Sequence, residues 1–278
     1  MSIKVKFWGV RGSVATPGND YVEFGGNTSC VEVTCGDRRL IFDAGTGIRQ
    51  VGEQYFAQDI KSASIYLSHS HWDHINGFPF FDPGFAEGFA FDIWAGHLLP
   101  RHTIQDILAG QMTQPFFPVP IEIMKSNMTF HDFKAGETLD AGTDSDGEMI
   151  TLKTIPLNHP NGATGYRVEY KGGVACYITD VEHIVGETDQ VLVDFVHDAD
   201  LMIYDSTYDD EDFADKISWG HSTWQEGIRI AKAANVKQLA VFHHDPKNND
   251  EFMHGVEKKA KAVFDGAFVA REFMEVSV

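Results

Sequence analysis

Residues 66–81 read YLSHSHWDHINGFPFF, and the six positions from His69 to His74 hold three histidines and an aspartate. The apolar run that leads into them, ASIYLSH (63–69), has the composition of a buried strand. Four titratable side chains this close repel one another when charged and lose solvation when buried without partners. Metal binding is the most economical compensation, because neutral imidazoles and carboxylates suit Zn²⁺, Mn²⁺ or Fe²⁺. On an extended segment His69 and His71 face the same way, since side chains alternate with a period of two. Asp73 and His74 fall where the chain turns and can face the same space from another direction. One ion could take His69 and His71, a second Asp73 and His74, and both would need further ligands.

Candidates for those ligands stand at the ends of other expected strands. His159 follows TIPLN, Asp180 follows ACYIT and His243 follows LAVF. Strand-end loops are where catalytic groups gather in layered α/β folds. Outward from residue 66, IKVKFWG (3–9), SCVEVTC (29–35) and RLIFDAG (39–45) read as strands, and a helix is expected near 48–58. FDIWAG (91–96) reads as a strand and 102–111 as a helix, within an aromatic- and proline-rich region from 76 to 131. In the second half, MITLKTIPL, TGYRVEY, GVACYITD, DLMIYDST and KQLAVFHH read as strands. Helices fit 188–197, 222–234 and 249–264, with Ser222 or Thr223 as a cap for the second. No low-complexity linker or short repeat interrupts the chain, so residues 1–278 are expected to form one domain.

Composition sets limits. At 43 % hydrophobic residues the chain can build a substantial core. A net charge of −19 argues against a broad nucleic-acid-binding surface, which needs Lys and Arg, but leaves room for a small anion at a local metal site. Cys30, Cys35 and Cys176 are odd in number, and five positions along a strand put Cys30 and Cys35 on opposite faces. All three read as reduced core residues of a cytoplasmic protein. The opening MSIKVKFWGVRG has lysines inside its apolar run and does not read as a signal peptide, and no window approaches a membrane span.

SHSHWDH matches the HxHxDH signature of the metallo-β-lactamase superfamily, and other motifs follow in that family's order. FDAGTG resembles its first motif, with Asp43 as the structural acid behind the site. NHP carries His159, ITD carries Asp180, and FHHDP carries the last histidine; the matches span residues 4–246. The resemblance implies a four-layer αββα sandwich of two mixed β-sheets with metals in a cleft at one edge. It implies His69, His71 and His159 at one metal, Asp73, His74 and His243 at another, and Asp180 as the bridge. Either His243 or His244 could be the last ligand; His243 directly follows the strand, as in the family, and is preferred.

Within the superfamily, a complete HxHxDH counts against the redox branch, which usually has glutamate at the position of His71. Asp180 is a hard bridging ligand, unlike the cysteine of many lactam hydrolases. DSTYDDEDFADKISWGHST (205–223) resembles the segment of the tRNase Z and phosphodiesterase branch that carries an extra catalytic histidine, which would be His221. The implied chemistry is in-line attack on phosphorus by a metal-bridging hydroxide. Asp73 would orient the nucleophile, His221 would protonate the leaving oxygen or hold the phosphoryl group, and Asp205 would fix the tautomer of His221. The long basic arm of tRNA-processing enzymes is not visible, which points to a small cyclic or short phosphodiester rather than long nucleic acid. An RNA-processing nuclease, a thioesterase or lactonase, and a non-catalytic metal sensor are the alternatives. Arg11 is a candidate for a phosphate or for a surface acid. Phe78, Phe80, Phe81, Phe116 and Phe117 could stack on a base or pack as core. The segment 115–122 is a candidate homodimer interface.

Overall fold

A computed structural model describes residues 3–278. Its strands, in chain order, are β1 (Ile3–Gly9), β2 (Cys30–Cys35), β3 (Arg38–Phe42), β4 (Ser62–Leu67), β5 (Ala90–Ala95), β6 (Asn127–Asp132) and β7 (Thr138–Thr143). They continue with β8 (Met149–Leu157), β9 (Ala163–Tyr170), β10 (Gly173–Ile178), β11 (Leu201–Asp205), β12 (Gln238–Phe242), β13 (Ala267–Val269) and β14 (Glu275–Ser277). The helices are α1 (Ile48–Gln58), α2 (Trp72–Ile75), α3 (Ile104–Gln111), α4 (Gln190–Phe195), α5 (Asp210–Phe213), α6 (Trp224–Ala233) and α7 (Asp250–Val263).

Two seven-stranded sheets result, ordered β14-β1-β2-β3-β4-β5-β6 and β13-β12-β11-β10-β9-β8-β7. Each joins an antiparallel meander to a parallel run. The first is antiparallel from β14 to β3 and parallel from β3 to β6. The second is antiparallel from β7 to β10 and parallel from β10 to β13. Period-two alternation sorts side chains into layers. Along β10, Ala175 and Tyr177 face the other sheet, while Cys176 and Ile178 face α4 and α6. The two cysteines of β2 divide in the same way: Cys35 enters the core between the sheets and Cys30 the core under α1 and α3. The expected αββα sandwich is therefore the fold, with apolar cores on both sides of each sheet. Large aromatics fill the middle one, where truncating a residue such as Phe242 would cost about 3–5 kcal/mol.

The expected central strands and long helices are present within a few residues. Thr223, rather than Ser222, caps α6 by accepting a hydrogen bond from the Glu226 N–H at 3.1 Å. The helix expected over 188–197 is shorter, six residues capped by Asp189. Four strands escaped the sequence reading: β6, β7, β13 and β14. They are the four outer edges of the two sheets. No helix among the described residues is long and apolar enough to cross a membrane.

Candidate metal centre

β4, inside the parallel run of the first sheet, leads into the HSHWDH loop. β4 stops at Leu67, and residues 72–75 form the single turn α2, so the donors on either side of Trp72 approach one point from two directions. Asp43, just beyond β3, sits behind them in a left-handed conformation (φ 62°) that an aspartate tolerates at modest cost. Its carboxylate accepts four hydrogen bonds: from the Ser68 N–H (2.7 Å) and Oγ–H (2.8 Å), from His74 Nδ1–H (2.7 Å) and from the Tyr177 hydroxyl (2.8 Å). With its proton committed to Asp43, the Ser68 hydroxyl can accept from His69 Nδ1–H at 3.0 Å. Both rings are thereby oriented with Nε2 carrying a lone pair toward the interior of the cluster.

The second sheet adds one donor per strand end. His159, past β8, donates from Nδ1 to the Gly220 carbonyl at 2.8 Å. Asp180 and His243, past β10 and β12, are both left-handed, with φ of 57° and 62°. The Thr207 hydroxyl meets His243 Nδ1 at 2.9 Å and donates to Asp205 Oδ1 at 2.8 Å. Two glycines permit close approach: a Cβ on Gly12 would overlap the ring of His243, and one on Gly220 the ring of His159.

The atoms left facing one another are nearly all acceptors. His74 Nε2 lies 3.3 Å from His243 Nε2, and His159 Nε2 lies 3.1 Å from His71 Nδ1. His69 Nε2 is buried with no hydrogen-bond partner. Asp180 directs Oδ1 toward His69 (3.7 Å) and His159 (3.9 Å), and Oδ2 toward His74 (3.2 Å) and His243 (3.4 Å). Asp73 Oδ2 is 3.2 Å from His74 and 3.3 Å from His243, and it also accepts from the Ser13 N–H at 2.7 Å. Converging lone pairs, all but those of His71 largely withheld from water, and two buried carboxylates form a donor set that fits divalent cations. Two groups with no residue in common, His69/His71/His159 and Asp73/His74/His243, each keep their donor atoms within 4.8 Å of one another, and His69, His74 and Asp180 form a third that joins them. Burial would raise the pKa of Asp73 and Asp180, but the histidines around them outweigh it and hold both carboxyls well below the usual range. Burial drives the His69 imidazole strongly downward, toward the neutral form that binds metal.

His221 stands at the edge of the cluster, two residues before the cap of α6. Its Nδ1 lies 2.9 Å from Asp205 Oδ2 and 3.7 Å from Asp180 Oδ1. Burial works against its charge, but Asp205, with Asp180 and Asp73 beyond, outweighs this and raises the pKa to about 9. Thus Asp43, His69, His71, Asp73, His74, His159, Asp180, Asp205, His221 and His243 meet at one place. His243, not His244, turns toward the cluster; His244 is buried and bonded through Nε2 to the Ala270 carbonyl at 2.9 Å.

Other expectations are corrected. Arg11 is fully buried, not at the surface, and forms no ion pair among the described residues. It donates to the backbone carbonyls of Gly25 (2.7 Å) and Asn248 (2.6 Å), tying the N-terminal loop to the one after His243. Phe78 and Phe81 are core residues, while Phe80 and Phe116 are exposed. The aromatic at the mouth of the centre is Trp72, 82 % exposed within the opening quoted stretch. Sequence reading also missed Ser68, Thr207, Tyr177 and Glu182; the last accepts the Ser218 and Gly220 N–H groups at 2.9 and 2.8 Å and so holds the His159 acceptor in place.

This fold with this donor cluster defines a class, the metal-dependent hydrolases of the metallo-β-lactamase kind. The chain belongs to that superfamily: residues 38–244 match the family described as the Beta-lactamase superfamily domain, a span that includes the whole cluster. Ribonuclease Z of Sulfurisphaera tokodaii is 28 % identical over 258 residues, covering 83 % of this chain and 85 % of that protein. Among solved structures, the metallo-beta-lactamase fold protein YhfI from Bacillus subtilis aligns with a TM-score of 0.72 at 22 % identity, over 99 % of this chain and 98 % of that one. Human tRNase Z, short form, aligns with a TM-score of 0.67 at 18 % identity, over 99 % of both chains.

Proposed function

We propose that the protein is a phosphodiesterase that works with two divalent ions, of zinc, manganese or iron. His69, His71 and His159 would hold one ion and Asp73, His74 and His243 the other, with Asp180 serving both. When bound, such ions supply an activated water at neutral pH and offset the negative charge of the phosphoryl oxygens. The observation that carries the reading is the Asp205–His221 pair beside the donors. Asp205 occupies Nδ1 of His221, so a charged imidazole keeps its Nε2–H free to give to a departing alkoxide. A thiolate leaving group needs no such proton, which sets this reading above a thioesterase.

The preferred substrate is a small cyclic or short phosphodiester, because a chain of net charge −19 is a poor platform for a long polyanion. The resemblance to enzymes named Ribonuclease Z supports a second reading, RNA processing. The three unpaired, buried thiols fit a reducing, cytoplasmic setting for either.

The test is turnover of bis(p-nitrophenyl) phosphate by metal-quantified protein supplied with Mn²⁺ or Zn²⁺, beside His71→Ala. Turnover that disappears in the variant supports the phosphodiesterase. A fully loaded protein that leaves the diester intact but cleaves thioesters overturns it. Cyclic nucleotides against a precursor tRNA then separate the two substrate readings.

A further inference from the structure

The donor cluster opens on two sides. On one, a cavity of about 520 Å³ is bounded by Ser13, Trp72, Asp73, Asp180 and His221, which the proposed hydrolysis uses. On the other, a cavity of about 460 Å³ touches His69 and His71 and is walled by Ser70, His97, Arg101 and His102. Ser70 and His71 line both. The hydrolysis described above gives this second space no role.

Its wall is unusual for this chain. Acidic residues outnumber Lys and Arg by 41 to 22, yet the second cavity contains no carboxylate. Cavities elsewhere carry Asp210 and Glu226 beside α6, Glu32 and Glu275 beside β1, or Glu272 near the N-terminal loop. The Arg101 guanidinium has no hydrogen bond or ion pair among the described residues, although acids are plentiful. The loop that presents it is fixed: the Arg101 and His102 N–H groups both donate to the Leu98 carbonyl, at 3.1 and 3.2 Å. Thr103 then caps α3, and the Ile104 N–H donates to Asp132 at 2.9 Å. His97 lies against Ser70 (Nε2 to Oγ, 3.1 Å), while its Nδ1 is buried without a partner.

We propose that this cavity is a subsite for a second phosphoryl group, so that the preferred substrates are phosphodiesters carrying an additional terminal phosphate. The proposal rests on the phosphodiesterase reading of the metal centre. With one phosphoryl group at the metal donors, the other reaches Arg101, whose planar guanidinium matches phosphate through two parallel hydrogen bonds. The volume suits a phosphate together with part of the sugar that bears it.

Titration calorimetry on the metal-loaded protein tests this with adenosine 3′,5′-bisphosphate against adenosine 3′- and 5′-monophosphate. The bisphosphate should bind roughly tenfold or more tightly than either monophosphate, the gain expected of one charge-assisted contact. Arg101→Ala, at an exposed position that does not threaten folding, should reduce that gap to within about threefold, and Arg101→Lys should keep part of it. Equal affinities in the wild type, or a gap that survives Arg101→Ala, overturns the subsite. Hydrolysis of bis(p-nitrophenyl) phosphate is scored separately. Turnover without an affinity gap removes the subsite alone, whereas a gap without turnover removes the hydrolytic reading and keeps the anion site.

Discussion

The loop after β4 and the strand ends of the second sheet supply donors to one centre by unlike means. The loop places four donors within six residues, and their relative geometry follows from local backbone: a period of two, then one helical turn. It is braced from behind by a single carboxylate, Asp43. The second sheet offers its donors singly, from β8, β10 and β12, and their relative positions depend on strand register. Asp205 pairs with Phe242 across β11 and β12, so a slip of one residue would turn His243 away and flip the strand's apolar faces. Asp180 and His243 also require left-handed backbone, which Asp and His adopt more readily than most residues but still at some cost. The loop is thus a prefabricated half-site, while the second sheet builds its half only when the whole sheet is correct.

The largest test of that division is Asp180→Ala. Its two oxygens face the two donor groups separately, so metal content should fall at both positions and activity should be nearly lost. Elemental analysis that finds one full equivalent retained would confine Asp180 to one half. Next is His221→Ala, which should slow diester cleavage about 10²-fold or more while metal content stays at the wild-type level; unchanged turnover would remove its acid role. Gly220→Ala should be milder: the new methyl meets the His159 ring and the backbone sits at φ 86°. Metal affinity should drop about tenfold to a hundredfold, the usual penalty for disturbing the partner of a ligand. A competition titration with a chelator reads it, and wild-type affinity would show that the Gly220 carbonyl does not orient His159. The smallest effect belongs to Tyr177→Phe, which removes one of the bonds on Asp43 from the opposite sheet. It should cost about 1 kcal/mol in denaturant unfolding with both metals retained. A loss of metal instead would mean that the loop is not self-sufficient.

The same contrast explains what the sequence made legible. The HSHWDH spacing announces its chemistry because four donor residues in six positions are hard to reconcile with anything else. His159, Asp180 and His243 are individually unremarkable, and they gain meaning only from their order after strands. Their partners were out of reach: Ser68, Thr207 and Tyr177 look like ordinary strand and strand-end residues until the fold places them. Arg11 misled because nothing local distinguishes a guanidinium that will bind carbonyls in the interior from one that will meet an anion. For the fold, inner strands buried on both faces show dense apolar patterns, as in LMIYD of β11. The missed strands β6 and β7 are polar and half exposed, and β13 and β14 have three residues each. Edge positions relax the very patterning by which a strand is recognised.

One of those edges bears on how the molecule comes to be made. β14 lies against β1, with Lys4 opposite Ser277 and the Ile3 N–H donating to the Val278 carbonyl at 3.0 Å. Pairings between such distant parts of a chain are the slow ones, because so long a loop must close before any contact is gained. During synthesis, β1 leaves the ribosome before the other strands of the two sheets and waits for its outer neighbour until all of them have emerged. Until then its open edge is free to pair with another nascent chain, and removing residues 275–278 would make that exposure permanent.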